Sequence, residues 1–174
     1  MKGEHVLEIR SLPAKFAEEK LKKLIADDFA YEETKKQSKE YINQHIEENG
    51  VEKKKGAVEL LDYLKDNNIK CAVATSTNPP QAKELLTKVN LLQYFDEFVS
   101  AHMLENGKPH PDIYIEAAKR LGLPTKNCMA LEDSPNGVLS ASSAGCVTVM
   151  VPDLSQPDTE LSKKLYAKAD NLTQ

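Results

Sequence analysis

The sequence predicts an α/β fold: a parallel sheet with helices on its faces, entered through a small helical unit. Two observations carry that expectation. From Gly56 onward, short continuous apolar runs alternate with amphipathic helical stretches, the pattern of βαβ units with buried parallel strands. Along one edge of that sheet, strands and loops end in polar residues, Thr75-Ser76-Thr77, Lys108 and Glu132-Asp133. In open α/β sheets, ligands collect outside the carboxyl ends of the strands.

In chain order, residues 13–49 carry helical periodicity. Pro13 stands where a helix can start. Phe16, Leu21, Leu24 and Ile25 recur at helical spacing, and Asp27-Asp28 interrupts the pattern. A second helix over 31–48 gathers Tyr41, Ile42, His45 and Ile46 on one side and stops at Asn49-Gly50 in the manner of a C-cap. His45 reads as a surface or half-buried helix residue. Lys53-Lys54-Lys55 reads as a solvated charge run, although a phosphate would also be drawn to it.

Ala57-Val58, Leu60-Leu61 and Leu64 make the next helix, Asp66-Asn67-Asn68 turns it, and residues 69–74 form a strand. A helix begins near Pro79 and runs through Ala82, Leu85, Leu86 and Val89; a short strand over 97–100 follows. Pro109 and Pro111 then stiffen the loop around Lys108. A helix over 113–121, a strand over 128–131, a helix from Ser134-Pro135 to Ala144-Gly145, a strand over 146–151 and a last helix over 159–169 complete the pattern.

A chain of 174 residues fits one domain, or one domain with a small appendage, and can bury a real core. The net charge of −4 is interspersed, with no basic stripe for nucleic acid, and Trp is absent. Apolar stretches fall far short of a membrane span, and the start lacks a signal-peptide apolar region. The expectation is therefore a cytoplasmic protein without a nucleic-acid or membrane partner. Cys71, Cys128 and Cys146 are odd in number and widely spaced, each in an apolar run, and read as buried thiols rather than disulfide or zinc ligands.

The chemistry concentrates in Leu131-Glu132-Asp133-Ser134-Pro135-Asn136-Gly137, where an apolar run meets two acids and then a helix start. Two carboxylates there could hold a hard divalent cation, magnesium, together with phosphate oxygens. Alternatively Asp133 caps the helix and Glu132 is solvated. Thr75 and Ser76 offer hydroxyl and backbone donors before a helix N-terminus, which suits a phosphate oxygen, and Lys108 supplies a fixed positive charge. Each has a plainer reading, a strand-end turn hydroxyl or a surface lysine. Their occurrence together at one sheet edge favours phosphoryl chemistry, whose transition state needs positioning and positive charge.

These stretches resemble the haloacid dehalogenase superfamily, in particular its β-phosphoglucomutase-like phosphatase branch with a helical cap. The matching residues are Val73-Ala74-Thr75-Ser76-Thr77, Gly107-Lys108-Pro109-His110-Pro111-Asp112, and Leu131-Glu132-Asp133-Ser134 with Asn136-Gly137. The resemblance implies a Rossmann-like parallel-sheet core at 56–174 and a partial helical cap at 1–55. It also implies that Thr75, with Ser76, binds the transferring phosphoryl group and that Lys108 neutralises it. Asp133 would bind magnesium, with Glu132 assisting as a ligand or from behind. The implied activity is a magnesium-dependent phosphatase or phosphomutase of small phosphorylated metabolites, sugar phosphates first. Dehalogenation is disfavoured by the paired acids, which imply a metal.

The family's first motif, a strand ending in Asp-x-Asp that supplies the nucleophile and the general acid/base, is not present anywhere in this sequence. In the family that strand is central, between the strands at 69–74 and 128–131. The expectation is an internal piece whose two open edges invite self-association, completion by a separate N-terminal segment, or a substitute strand, for which residues 5–9 are conceivable although they read better as the tail of the first cap region, running straight into cap-like helices. The competing reading is a non-catalytic relic that keeps a phosphate and metal pocket. Asn78 and Asn136 are placed near the pocket edge or in helix-capping roles.

Overall fold

The structure, a computed structural model, describes residues 5, 9, 12 and 14–173. Its first part is helical. α1 (Ala14–Leu24) buries Ala17 and Leu21, four residues apart on one face, and leaves Phe16 and Leu24 exposed. α2 (Tyr31–Asn49) ends at Gly50, whose φ of 77° returns its N–H to the Ile46 carbonyl at 2.8 Å. No residue of α2 is buried, so the side carrying Tyr41 and Ile42 stays uncovered among the described residues. Of residues 5–9, read first as the tail of the cap region and second as a substitute strand, His5 and Ile9 are described and both are helical; residues 6–8 lie outside the described residues.

From α3 (Ala57–Asp66) the chain alternates as expected: β1 (Ala72–Thr75), α4 (Pro79–Lys88), β2 (Glu97–Ser100), α5 (Asp112–Leu121), β3 (Met129–Glu132), α6 (Pro135–Ser143), β4 (Val147–Met150), α7 (Thr159–Ser162) and β5 (Ala167–Lys168). All pairing is parallel. β1 and β2 form one ladder, and β3, β4 and β5 form another in that order. Thr75 is in register with Ser100, and Glu132 with Met150, so the polar strand ends lie at matching heights. No ladder joins β1 to β3 among the described residues.

One device returns the chain from helix to strand four times. Asn68, Asn90, Gly122 and Gly145 each take a positive φ just past a helix, and the following N–H bonds back across the last turn: Ile69 to Leu64 at 2.8 Å, Leu91 to Leu86 at 2.9 Å, Leu123 to Ala118 at 2.9 Å and Cys146 to Ala141 at 3.1 Å. This is the Schellman ending, which satisfies orphan carbonyls and reverses the chain at once. It also explains why β1 starts at Ala72 rather than at 69: Ile69 is spent on closing α3.

The C-terminal expectation is corrected. The helix at 159 ends at Ser162, and Ala167–Lys168 add a strand to the edge of β4, with Tyr166 N–H on the Thr148 carbonyl at 2.8 Å and Ala169 N–H on that of Met150 at 3.0 Å. The open edge of β4 offers a row of backbone partners, and pairing with it overrides the helical spacing of Leu161 and Leu165. The three thiols are free and half-buried, since each stands at or before the start of a strand instead of inside it.

The core gathers on α5. Ile113, Tyr114 and Ala117 pack with Val99 of β2, Ala130 of β3 and Ala141 of α6, so a single helix face contacts both ladders. A smaller cluster of Val138, Met150 and Leu161 lies under α6. Between the helical part and this core, the chain passes Gly56, whose φ of 85° lies in the left-handed region. The Leu172 N–H bonds the Lys55 carbonyl at 3.0 Å, and a Cβ on Gly56 would stand 2.6 Å from backbone atoms of Leu172 and Thr173. Gly56→Ala is therefore expected to lower stability by about 2 to 4 kcal/mol, from left-handed strain plus overpacking, read as a lower urea midpoint at unchanged slope.

Candidate active site

β3 alternates strictly: Met129 and Leu131 are exposed, Ala130 and Glu132 buried. Glu132 thus points inward, on the Ala130 side. Its Oε1 accepts short hydrogen bonds from the Lys108 ammonium and the Tyr114 hydroxyl, and its Oε2 accepts from Ser134 Oγ at 3.4 Å. Gly137, in the first turn of α6, makes room for the carboxylate, because a Cβ there would collide with it.

Lys108 is only 6% exposed. It comes from the loop before α5, and its ammonium lies over the Tyr114 ring at 5.4 Å and 3.4 Å from the Ala74 carbonyl on β1. The Lys108–Pro109 peptide bond is cis. Burial, the charge of Glu132 and the hydrogen bond to it hold the Tyr114 phenol far above its ordinary pKa of 10.0.

These groups form one wall of a cleft of about 480 Å³ that is also lined by Thr75, Ser76, Thr77 and Asp133. The loop after β1 is fixed by its own hydroxyls. Thr77 N–H donates to Thr75 Oγ1 at 3.1 Å, and the buried Ser100 donates to the Thr77 carbonyl at 2.8 Å. Asn78 takes the helix-capping role, accepting from Gln81 N–H at 3.1 Å. At the start of α6 the cap is Ser134, which accepts from Gly137 N–H at 3.1 Å, so Asp133 does not serve as the cap.

Thr75, Ser76, Lys108, Glu132 and Asp133 therefore share one cleft. Lys54, Asp153 and Leu172 line it as well, and Tyr114 stands behind it. The sequence alone names neither Leu172 nor Tyr114, and gives Lys54 only within a run to which a phosphate would be drawn. Lys54 was submerged in a charge run and Asp153 followed a strand without a motif. Tyr114 occupies an apolar helix position. Its one signal is an aromatic hydroxyl a helical turn and a half after a candidate lysine. His45 stays outside the cleft, exposed and stacked on Tyr41. Burial raises all three thiols, Cys146 to about 11, so none is a ready thiolate nucleophile at neutral pH.

Residues 4–151 match the family model described as haloacid dehalogenase-like hydrolase. The chain belongs to the haloacid dehalogenase-like hydrolase family. Its branch is the β-phosphoglucomutase-like one. A Thermotoga maritima structure assigned as a β-phosphoglucomutase is 28% identical and superposes with a TM-score of 0.74, covering 97% of this chain and 79% of that one. The phosphorylated carbohydrates phosphatase of Thermotoga maritima is 41% identical over 90 residues, 52% of this chain and 42% of that protein. A Drosophila melanogaster protein named as a probable pseudouridine-5'-phosphatase is 42% identical over 121 residues, 64% of this chain and 52% of that protein. The chain spans about half the length of the curated relatives it matches.

Phosphatases of the haloacid dehalogenase-like family generally use a divalent metal. No group of three or more His, Cys, Asp or Glu side chains occurs among the described residues, which disfavours a closed all-protein cage. Magnesium instead keeps several waters and takes one or two carboxylates beside substrate phosphate. Asp133, on the cleft wall beside Thr75, fits that mode, with Asp153 lining the same cleft. Glu132 fits it less well, its carboxylate being engaged by Lys108 and Tyr114. Among the described residues, no helix is long and apolar enough to cross a membrane.

Two outcomes follow from the buried cluster. Lys108→Met strands the Glu132 charge and is expected to cost about 3 to 5 kcal/mol in urea unfolding, while adding Glu132→Leu recovers more than about half of it. For Tyr114, the raised native pKa means that the native state keeps a proton the unfolded chain releases above about pH 10. Stability is then fully present below pH 10 and falls as pH rises past it. Tyr114→Phe is expected to flatten that alkaline decline relative to wild type in urea unfolding between about pH 8 and 11.

Proposed function

We propose that this chain carries the phosphate- and metal-binding part of a magnesium-dependent phosphatase or phosphomutase of small phosphorylated metabolites, with sugar phosphates as the leading class. The observation that carries it is the convergence of Thr75, Lys108 and Asp133 on one cleft at the carboxyl ends of β1 and β3. The printed names of the relatives, a phosphorylated carbohydrates phosphatase and a pseudouridine-5'-phosphatase, support the same class. Residues 1–55 serve as part of the cap and 56–174 as the core.

In this reading Thr75 and Ser76 hold oxygens of the transferring phosphoryl group through hydroxyl and backbone donors, close to the N-terminus of α4. Lys108, positioned by Glu132 and backed by Tyr114, sets its positive charge against the negative charge of the phosphoryl oxygens. Asp133 holds magnesium, which when bound supplies further positive charge to those oxygens. Glu132 acts from behind, by orienting Lys108. The nucleophile is an aspartate from a segment outside these 174 residues. It forms an aspartyl-phosphate, which water or a second hydroxyl then resolves. The second reading, a phosphate- and metal-binding relic, is favoured by one observation: the sequence has no Asp-x-Asp.

Titration calorimetry on the chain as it stands tests the pocket. Inorganic phosphate is expected to bind more tightly with magnesium present. Asp133→Asn removes that enhancement, and Thr75→Val weakens phosphate binding roughly tenfold. Phosphate binding indifferent to both variants contradicts the assignment. The two readings part on turnover. Hydrolysis of an aryl phosphate that appears only when a strand ending in Asp-x-Asp is supplied supports the enzyme, and binding with no turnover after that addition supports the relic.

A further inference from the structure

The cleft holds a second cation that the roles above leave unused. Lys54 lines it, half-buried, and its ammonium has no carboxylate partner among the described residues; it rests on the Pro152 carbonyl at 3.5 Å. Lys108, by contrast, is paired with Glu132 and committed to the transferring phosphoryl group. The backbone presenting Lys54 is fixed on its C-terminal side. The Lys55 carbonyl accepts from Leu172 N–H at 3.0 Å, and Gly56 is packed against the backbone of Leu172 and Thr173. A lysine held by its main chain over a polar cleft, with only a long contact to a neutral carbonyl, is suited to an anion that arrives from solution.

Topology says which anion. Thr75 and the Ala74 carbonyl beneath Lys108 belong to β1, and Asp133 follows β3. Pro152 follows β4, on the side of β3 away from β1, because β4 pairs β3 along its whole length. Lys54 is thus anchored about one strand spacing, roughly 5 Å, beyond Asp133 and away from Thr75. A phosphoryl group held between Thr75, Lys108 and Asp133 leaves the Lys54 ammonium facing another part of the same molecule.

We infer that Lys54 is a specificity-determining residue that binds a second anionic group, phosphate or carboxylate, on the substrate, so that the preferred substrates are doubly charged sugar phosphates. This rests on the phosphatase reading of the cleft. A compact ammonium recognises either group as a point charge, without the planar matching an arginine would impose.

Calorimetry with magnesium on the whole chain tests it, using fructose 1,6-bisphosphate, 6-phosphogluconate and fructose 6-phosphate as probes. Lys54→Gln keeps an N–H donor for the Pro152 carbonyl, and Lys53→Gln removes a neighbouring charge that does not line the cleft. Lys54→Gln is expected to weaken at least one doubly charged probe roughly tenfold while leaving fructose 6-phosphate within about twofold, and Lys53→Gln is expected to change neither. Equal weakening of all three probes overturns the inference by placing Lys54 on the transferring phosphate. No weakening overturns it by reducing Lys54 to a tie between the segment before α3 and the loop after β4. Failure of the underlying reading is separate: the wild-type chain then binds none of the probes, or binds them regardless of Thr75→Val.

Discussion

The buried contact between Lys108 and Glu132 is the constraint on which the rest of the structure depends. Lys108 belongs to the loop before α5 and leans on the β1 carbonyl of Ala74, while Glu132 closes β3. These strands share no ladder, so the ion pair and the α5 side chains bridge two half-sheets that backbone hydrogen bonds leave separate. Burying two charges is not an economical way to do this. Desolvation offsets most of the mutual attraction, and apolar residues of similar volume often hold such a place as well or better. That the chain uses ions here argues that the charge itself is wanted at the strand ends.

The neighbours of the pair follow from its cost. A carboxylate buried to this degree needs its lone pairs filled, and Tyr114 and Ser134 fill them. It also needs space, which only a glycine at 137 leaves. Satisfying Glu132 fixes α5 through Tyr114 and the start of α6 through Ser134 and Gly137, and those two helices supply most of the principal core cluster. Polar satisfaction at the site and apolar packing of the core are therefore one arrangement. A substitution in the cleft is felt in stability because the same side chains do both.

Much of this was legible in the sequence where the cause was local. β2 at 97–100 was expected at its observed bounds because Phe95 and the following turn delimit it, and Thr75, Lys108 and Asp133 could be named because strand-end polarity needs no tertiary information. Glu132 is grouped with Asp133 as a metal ligand or as a support from behind, and the period of two in a strand, which puts it on the Ala130 face and turned inward, favours the second. Tyr114, Lys54 and Leu172 were out of reach because their roles depend on contacts with residues 18, 98 and 117 positions away, respectively. β5 was missed because a two-residue strand has no pattern of its own and exists only through the edge of β4.

The distribution of exposure completes the argument. In a doubly wound sheet the middle strands are the most covered, yet Met129 and Leu131 of β3 are 61% and 42% exposed while Val99 of β2 and Met150 of β4 are fully buried. The exposed apolar surface lies on one face of β3, opposite the face that carries Ala130 and Glu132. The edge of β3 away from β4 has no ladder among the described residues, and in the proposed reading the strand it accepts runs parallel to β1 and β3, with its carboxyl end emerging between Thr75 and Asp133. That is where the proposed reaction needs a carboxylate nucleophile. Electrostatics at the cleft and apolar exposure on β3 thus both support the proposed reading, in which a further parallel strand between β1 and β3 carries an acid at its tip.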